Sequence, residues 1–245
     1  MKSVPLKAAA LAALLLASAA LAACNRTATD DKVFGDRVRA YLLEHPEVIQ
    51  EAVQKLQDRQ EQAALAQTTQ AIPRLRAAIE RDPHDFVVNP NGRVTVTEFY
   101  DYRCPHCANV APKVAAFIKE HPDVRFVFKE SPIFGPTSEH AARAALAVKA
   151  DGGDYLGLYQ ALMTAHGLDD EMIDKLAAQH GARPATLASA DAAKAANEQL
   201  ARTAQLFHDL ALGGTPSFIV GDQVVPGEDM DAVRTLVAQL LAKKS

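Results

Sequence analysis

Apolar and polar positions change their spacing several times along the chain, and each change marks an element. Residues 8–16 form an unbroken apolar run behind Lys2 and Lys7, and small residues follow from Ala17 to Ala23, broken only by Leu21. That layout predicts a secretory signal peptide over 1–23, with a run too short to span a membrane comfortably. Residues 31–81 then read as helix. Val33, Phe34, Val38, Tyr41 and Leu42 fall on one face. His45-Pro46 interrupts, and Pro46 can open a second helix at its first position. Val48, Ile49, Ala52, Val53 and Leu56 continue at helical spacing. Every residue from 57 to 62 is polar, as in a solvated helix or a spacer. Ile72, Leu75 and Ile79 make a last short apolar set before Asp82-Pro83. An amphipathic stripe set apart by a polar spacer must bury against something. Folding back onto the main domain is one solution; self-association through residues 33–56 is the expectation. Residues 24–82 are therefore read as a helical oligomerisation arm and linker.

From residue 83 the period alters. Residues 85–88 are extended, and Asn89-Pro90-Asn91-Gly92 is a dense turn signal. Residues 94–100 are rich in β-branched and aromatic side chains and predict a strand. Ala108, Val110, Ala111, Val114, Ala115, Phe117 and Ile118 predict a helix. Residues 124–129 read as a buried strand, and 138–208 as a series of helices. Phe218, Ile219 and Val220 predict a strand, Gly221-Asp222 a turn, and 223–225 its hairpin partner. Met230, Val233, Leu236, Val237 and Leu240 line a closing helix. The order is that of an α/β domain.

Composition narrows this little. With 245 residues, 49% hydrophobic, 23% charged and a formal net charge of −4, the chain is neither disordered nor collagen-like. The charge balance gives no reason to expect nucleic acid as a partner. The three cysteines say more, because an odd thiol in an exported chain needs an explanation. Leu21-Ala22-Ala23-Cys24 resembles a bacterial lipobox, in which Cys24 is acylated and becomes the mature N-terminus. That predicts a lipid-anchored protein of the bacterial periplasm, with the odd thiol accounted for. Ordinary cleavage, leaving a soluble protein with a stray thiol, is the alternative.

The other two thiols form Cys104-Pro105-His106-Cys107, where a strand turns into a helix. A helix N-terminus offers unpaired backbone N–H groups and a partial positive charge, both of which stabilise a thiolate at Cys104. Pro105 suits the first helical turn. His106 can add charge or a hydrogen bond. Cys107, one turn deeper, can attack a mixed disulfide on Cys104. Zinc would need about four ligands and two thiols supply half, so no metal site is assigned. Haem attachment would need histidine where Ala108 stands. A Cys-x-x-Cys pair at such a junction is accessible, which suits redox exchange over a purely structural bridge.

The run Thr97-Glu98-Phe99-Tyr100-Asp101-Tyr102-Arg103 through Cys107 resembles the active-site strand and helix start of DsbA-like thiol-disulfide oxidoreductases. Gly213-Gly214-Thr215-Pro216-Ser217-Phe218 resembles the cis-proline loop of thioredoxin folds, and Pro112 the kinking proline of their first helix. Phe34-Gly35 through Leu56 resembles the N-terminal segment of ScsC-type proteins. The resemblance implies a thioredoxin fold over 83–245, with a helical insertion at about 136–211. It implies a redox disulfide Cys104–Cys107 and no cofactor. Thr215 and Pro216 would lie against Cys104, and Glu98 would relay protons to Cys107, unless it is a strand carboxylate facing water. The implied substrates are unfolded or partly folded secreted proteins. The implied partner is a membrane protein, either a DsbB-like oxidant or a DsbD- or ScsB-like reductant. The Pro-His dipeptide favours an oxidase. The arm favours an oligomeric isomerase or reductase of ScsC type. A tethered module holding Cu(I) on the paired thiols is the non-enzymatic alternative.

Overall fold

The computed structural model describes residues 31–243. The signal segment, the lipobox and Cys24 lie outside them. The chain divides into two compact units at Gln60/Glu61.

The first unit holds α1 (residues 31–44) and the start of α2 (Glu47–Glu80), separated at His45-Pro46. Its apolar stripe is open to water. Val33, Phe34, Val38, Tyr41, Ile49, Val53 and Leu56 are all exposed.

The second unit is built on a five-stranded mixed sheet. Its strands are β1 (Phe86–Val88), β2 (Val94–Tyr100), β3 (Val124–Glu130), β4 (Ser217–Val220) and β5 (Gln223–Pro226), in the order β1-β3-β2-β4-β5. β2 and β3 are parallel; the other three pairings are antiparallel. The parallel crossover is supplied by α3 (Pro105–Glu120), as parallel neighbours require. Between β3 and β4 lie α4 (Pro136–Ala150), α5 (Tyr155–Thr164), α6 (Asp170–Gln179), the short α7 (Pro184–Leu187) and α8 (Ala190–Asp209). Asp154, Asp169 and Ser189 start α5, α6 and α8 by accepting a first-turn N–H. α9 (Met230–Lys243) follows the hairpin. This is a thioredoxin-like fold with inserted helices, preceded by a helical region.

Strand alternation separates the two faces of the sheet. Val94, Val96, Phe126, Phe128, Phe218 and Val220 join a core with side chains of α3, α5 and α9. Phe99 and Ile219 point to the other face and pack with Ala71, Ile72 and Ile79 of α2, Leu206 of α8 and Leu210 just after it. The apolar set around Ile72, grouped with the arm by its helical period, thus belongs to the core of the second unit. Polar groups of the sheet hold the end of that helix. Thr97 Oγ1 donates to Ile79 O at 3.3 Å, Lys129 Nζ to Ala78 O at 2.6 Å, and Arg125 Nη1 to Glu80 O. These are carbonyls that a helix C-terminus leaves unpaired. Lys129 is itself paired with Asp85 at 2.6 Å, and both side chains are buried.

Candidate active site

β2 ends at Tyr100, and three residues later the chain enters α3 with Cys104 as its N-cap and Pro105 in its first turn. Asp101 fixes this bend. It is buried, and its carboxylate accepts from Arg103 N at 2.7 Å, Ser138 Oγ at 2.8 Å, Ile133 N at 2.6 Å and Phe134 N at 3.0 Å. One side chain therefore ties the start of the cysteine motif to the loop after β3.

The structure brings Cys104, Cys107, Thr215 and Pro216 together. Neither cysteine is in a disulfide. Cys104 Sγ donates to Thr215 O at 3.1 Å, and the Thr215–Pro216 peptide bond is cis. Ser217 Oγ donates to Gly214 O, and Gly227 N to Pro216 O, so the loop is held on both sides. Cys104 is only 2% exposed, less open than its position at a strand–helix junction suggests. Approach to it runs along a groove lined by Tyr102, Arg103, Pro105, Met163, Gly167 and Leu168. Cys107 is fully buried. Burial pushes its thiol well up, and negative charge on Glu98 and Cys104 acts in the same direction. The Thr215 side chain acts the opposite way on it.

His106 is exposed, and its Nδ1 lies 2.6 Å from Glu228 Oε1 in the segment between β5 and α9. Asn109 Nδ2 reaches the same oxygen at 3.4 Å. These contacts, the imidazole first, hold the Glu228 carboxyl below its usual range.

Glu98 does not face water. It is fully buried, with Tyr159 Oη donating to it at 3.2 Å, and burial pushes its carboxyl up to about 8. A second buried carboxyl, Glu130, adds to that rise. Asp101, Glu130, Tyr159 and Glu228 escaped sequence reasoning. Asp101 stands inside the quoted motif and could have been noticed there. Nothing in its neighbours along the chain marks Glu228.

The profile of the DSBA-like thioredoxin domain family matches residues 95–238, from the start of β2 to within α9. The chain belongs to this family. Residues 31–63 match a second profile, that of the copper resistance protein ScsC N-terminal domain. The thiol:disulfide interchange protein DsbA of Bordetella parapertussis is 29% identical over 199 residues, covering 74% of this chain and 93% of the relative. Among solved structures, BcfH of Salmonella enterica Typhimurium matches with a TM-score of 0.63 and 31% identity, over 90% of this chain and 99% of that one. Proteus mirabilis ScsC in a transitional conformation matches with a TM-score of 0.63 and 28% identity, over 88% and 99%. As a DSBA-like chain, this protein is a thiol-disulfide oxidoreductase by family.

Proposed function

We propose that this chain is an exported thiol-disulfide exchange enzyme that works as a self-associated isomerase or reductase on envelope proteins, through Cys104 and Cys107. The observation that carries the thiol chemistry is the Cys104 sulfur at the N-cap of α3, 3.1 Å from the Thr215 carbonyl. The helix N-terminus offers that sulfur unpaired backbone N–H groups and a partial positive charge. The backbone groups of Thr215 and Pro216 beside it would be offered to a bound substrate.

The Cys104 thiolate attacks one sulfur of a substrate disulfide. The new Cys104–substrate bond forms, and the other substrate sulfur leaves as a thiolate. Another substrate thiolate can then attack the mixed disulfide and release Cys104, which isomerises without net electron transfer. Alternatively Cys107 loses its proton to Glu98 and attacks Cys104. The Cys104–Cys107 disulfide forms, and the substrate leaves reduced by two electrons. A DsbD- or ScsB-like membrane reductant would then restore the thiols.

The choice of isomerase over oxidase rests on the arm. Eight large apolar side chains from Val33 to Leu56, Leu43 among them, lie open to water, which a lone chain does not tolerate well. The ScsC N-terminal match over residues 31–63 supports the same reading. Anchoring in the periplasm through acylated Cys24 completes the proposal.

Refolding of scrambled ribonuclease, set beside oxidation of reduced ribonuclease, tests it. Faster recovery from the scrambled form is expected. Activity on reduced ribonuclease alone would make the protein an oxidase. A Cys107→Ser variant should accumulate mixed disulfides in cells. No trapped species, with Cu(I) bound by the parent, would replace the enzyme with a binding module.

A further inference from the structure

Glu130 closes β3 and is buried, though a carboxylate at a strand end normally turns to solvent. Its Oε1 lies 2.6 Å from the hydroxyl of Tyr155, 2.8 Å from that of Tyr100 and 2.9 Å from that of Tyr102. The hydroxyl of Tyr100 also lies 2.6 Å from that of Tyr155 and 3.3 Å from that of Tyr102. Proton counting is informative here. Each tyrosine brings one donor and an ionised carboxyl brings none. These five oxygen–oxygen contacts hold three protons when Glu130 is ionised. A protonated Glu130 adds a fourth hydrogen bond to the cluster.

Glu130 and Glu98 lie on the same face of adjacent parallel strands, where Glu130 pairs with Tyr100 and Glu98 with Phe128. Tyr159, which donates to Glu98, packs edge-on against Tyr100 at 5.1 Å. The groups acting on Glu130 are Tyr100 from β2, Asp101 and Tyr102 from the loop after it, and Tyr155 from α5. Those acting on Glu98 are Tyr159 from α5 and Glu130. No cation figures among them. Two charges so close in an apolar interior repel strongly, so the second costs more than the first. Burial pushes both carboxyls up to about 8, and the charge of Glu130 is a further cause of the rise at Glu98.

We propose that Glu130 is a positioning residue for thiol-disulfide exchange, which by charge repulsion keeps on Glu98 the proton that Cys107 takes up and returns. The inference rests on the exchange reading above. When an external thiolate attacks Cys104 in the Cys104–Cys107 disulfide, that bond breaks and Cys107 leaves with the electron pair. The Glu98 carboxyl then gives its proton to the Cys107 thiolate and becomes a carboxylate. In the reverse reaction Glu98 takes the proton back as Cys107 attacks.

The test is the pH profile of glutathione exchange at the active site of the full chain, in the parent, Glu98→Gln and Glu130→Gln. One step of the parent profile should vanish in E98Q. That step should move in E130Q to lower pH, by at least tenfold in proton concentration. If E130Q does not fold, Tyr155→Phe removes a hydrogen bond that favours the ionised Glu130, and should move the step the same way by at least threefold. An E130Q profile superimposable on that of an exchanging parent overturns this proposal alone; a Y155F profile that does not move, where E130Q fails to fold, has the same effect. A parent profile that E98Q leaves unchanged overturns it too. A parent with no exchange at Cys104 overturns the functional reading and this proposal with it.

Discussion

Replacing Glu98 with Gln removes one ionisable group and leaves a side chain that can still accept from Tyr159. Glu98 is fully buried, and its carboxyl is pushed up to about 8 in the folded chain, first by burial. In the unfolded chain a glutamate titrates near 4.3. The folded value is the higher one, so the folded state holds the proton longer. The stability this group contributes is complete below about pH 4 and is lost as pH rises toward 8. By pH 7 the loss is on the order of 3–4 kcal/mol, at about 1.4 kcal/mol for each pH unit between the two values. Gln carries no such penalty. Urea unfolding of the reduced parent and reduced E98Q, at pH 4.5, 6, 7 and 8, measures the difference directly. E98Q should be close to the parent at pH 4.5 and more stable by several kcal/mol at pH 8. A difference that stays flat over this range would refute the reasoning, because it would mean that Glu98 is solvated or already paired.

Three further outcomes follow from particular contacts. Ile72→Ala empties a fully buried site between α2 and the sheet and should cost about 2–4 kcal/mol of unfolding free energy by urea titration; a change below about 0.5 kcal/mol would remove that part of α2 from the domain. Phe34→Glu puts a charge in the exposed stripe of α1 and should lower the mass seen by sedimentation, with the unfolding midpoint of the second unit unmoved. Glu228→Gln weakens the hold on His106, and the glutathione equilibrium should shift toward the reduced protein by roughly two- to threefold, as suits an exposed pair; a shift toward the oxidised form would count against a thiolate-stabilising imidazole.

Local pattern was enough for much of the fold. The β-branched run at 94–100, the apolar spacing after Cys104 and the hairpin around Gly221-Asp222 each fall in the expected element. Helical spacing also located the break at His45-Pro46. It could not say what each apolar stripe packs against. Ile49 and Ile72 stand on the same helix, yet one is exposed and the other fully buried. Periodicity reports a face, and only the sheet decides whether something covers it.

The chemistry divides in the same way. Cys104, Pro105, His106 and Cys107 are neighbours in the chain, and a strand-to-helix turn is a local event, so the sequence alone determined the candidate pair and which sulfur lies deeper. Thr215 lies more than a hundred residues from Cys104, and it was legible only because its own local motif is distinctive. Glu130 and its tyrosines had no such marker. Each looks like an ordinary strand, loop or helix residue until β3, β2 and α5 meet. A carboxyl's proton affinity depends on water and on charges within a few ångströms. Those surroundings are set by packing between segments far apart in the chain, so the tertiary structure alone decided that Glu98 and Glu130 are buried on one face of the sheet.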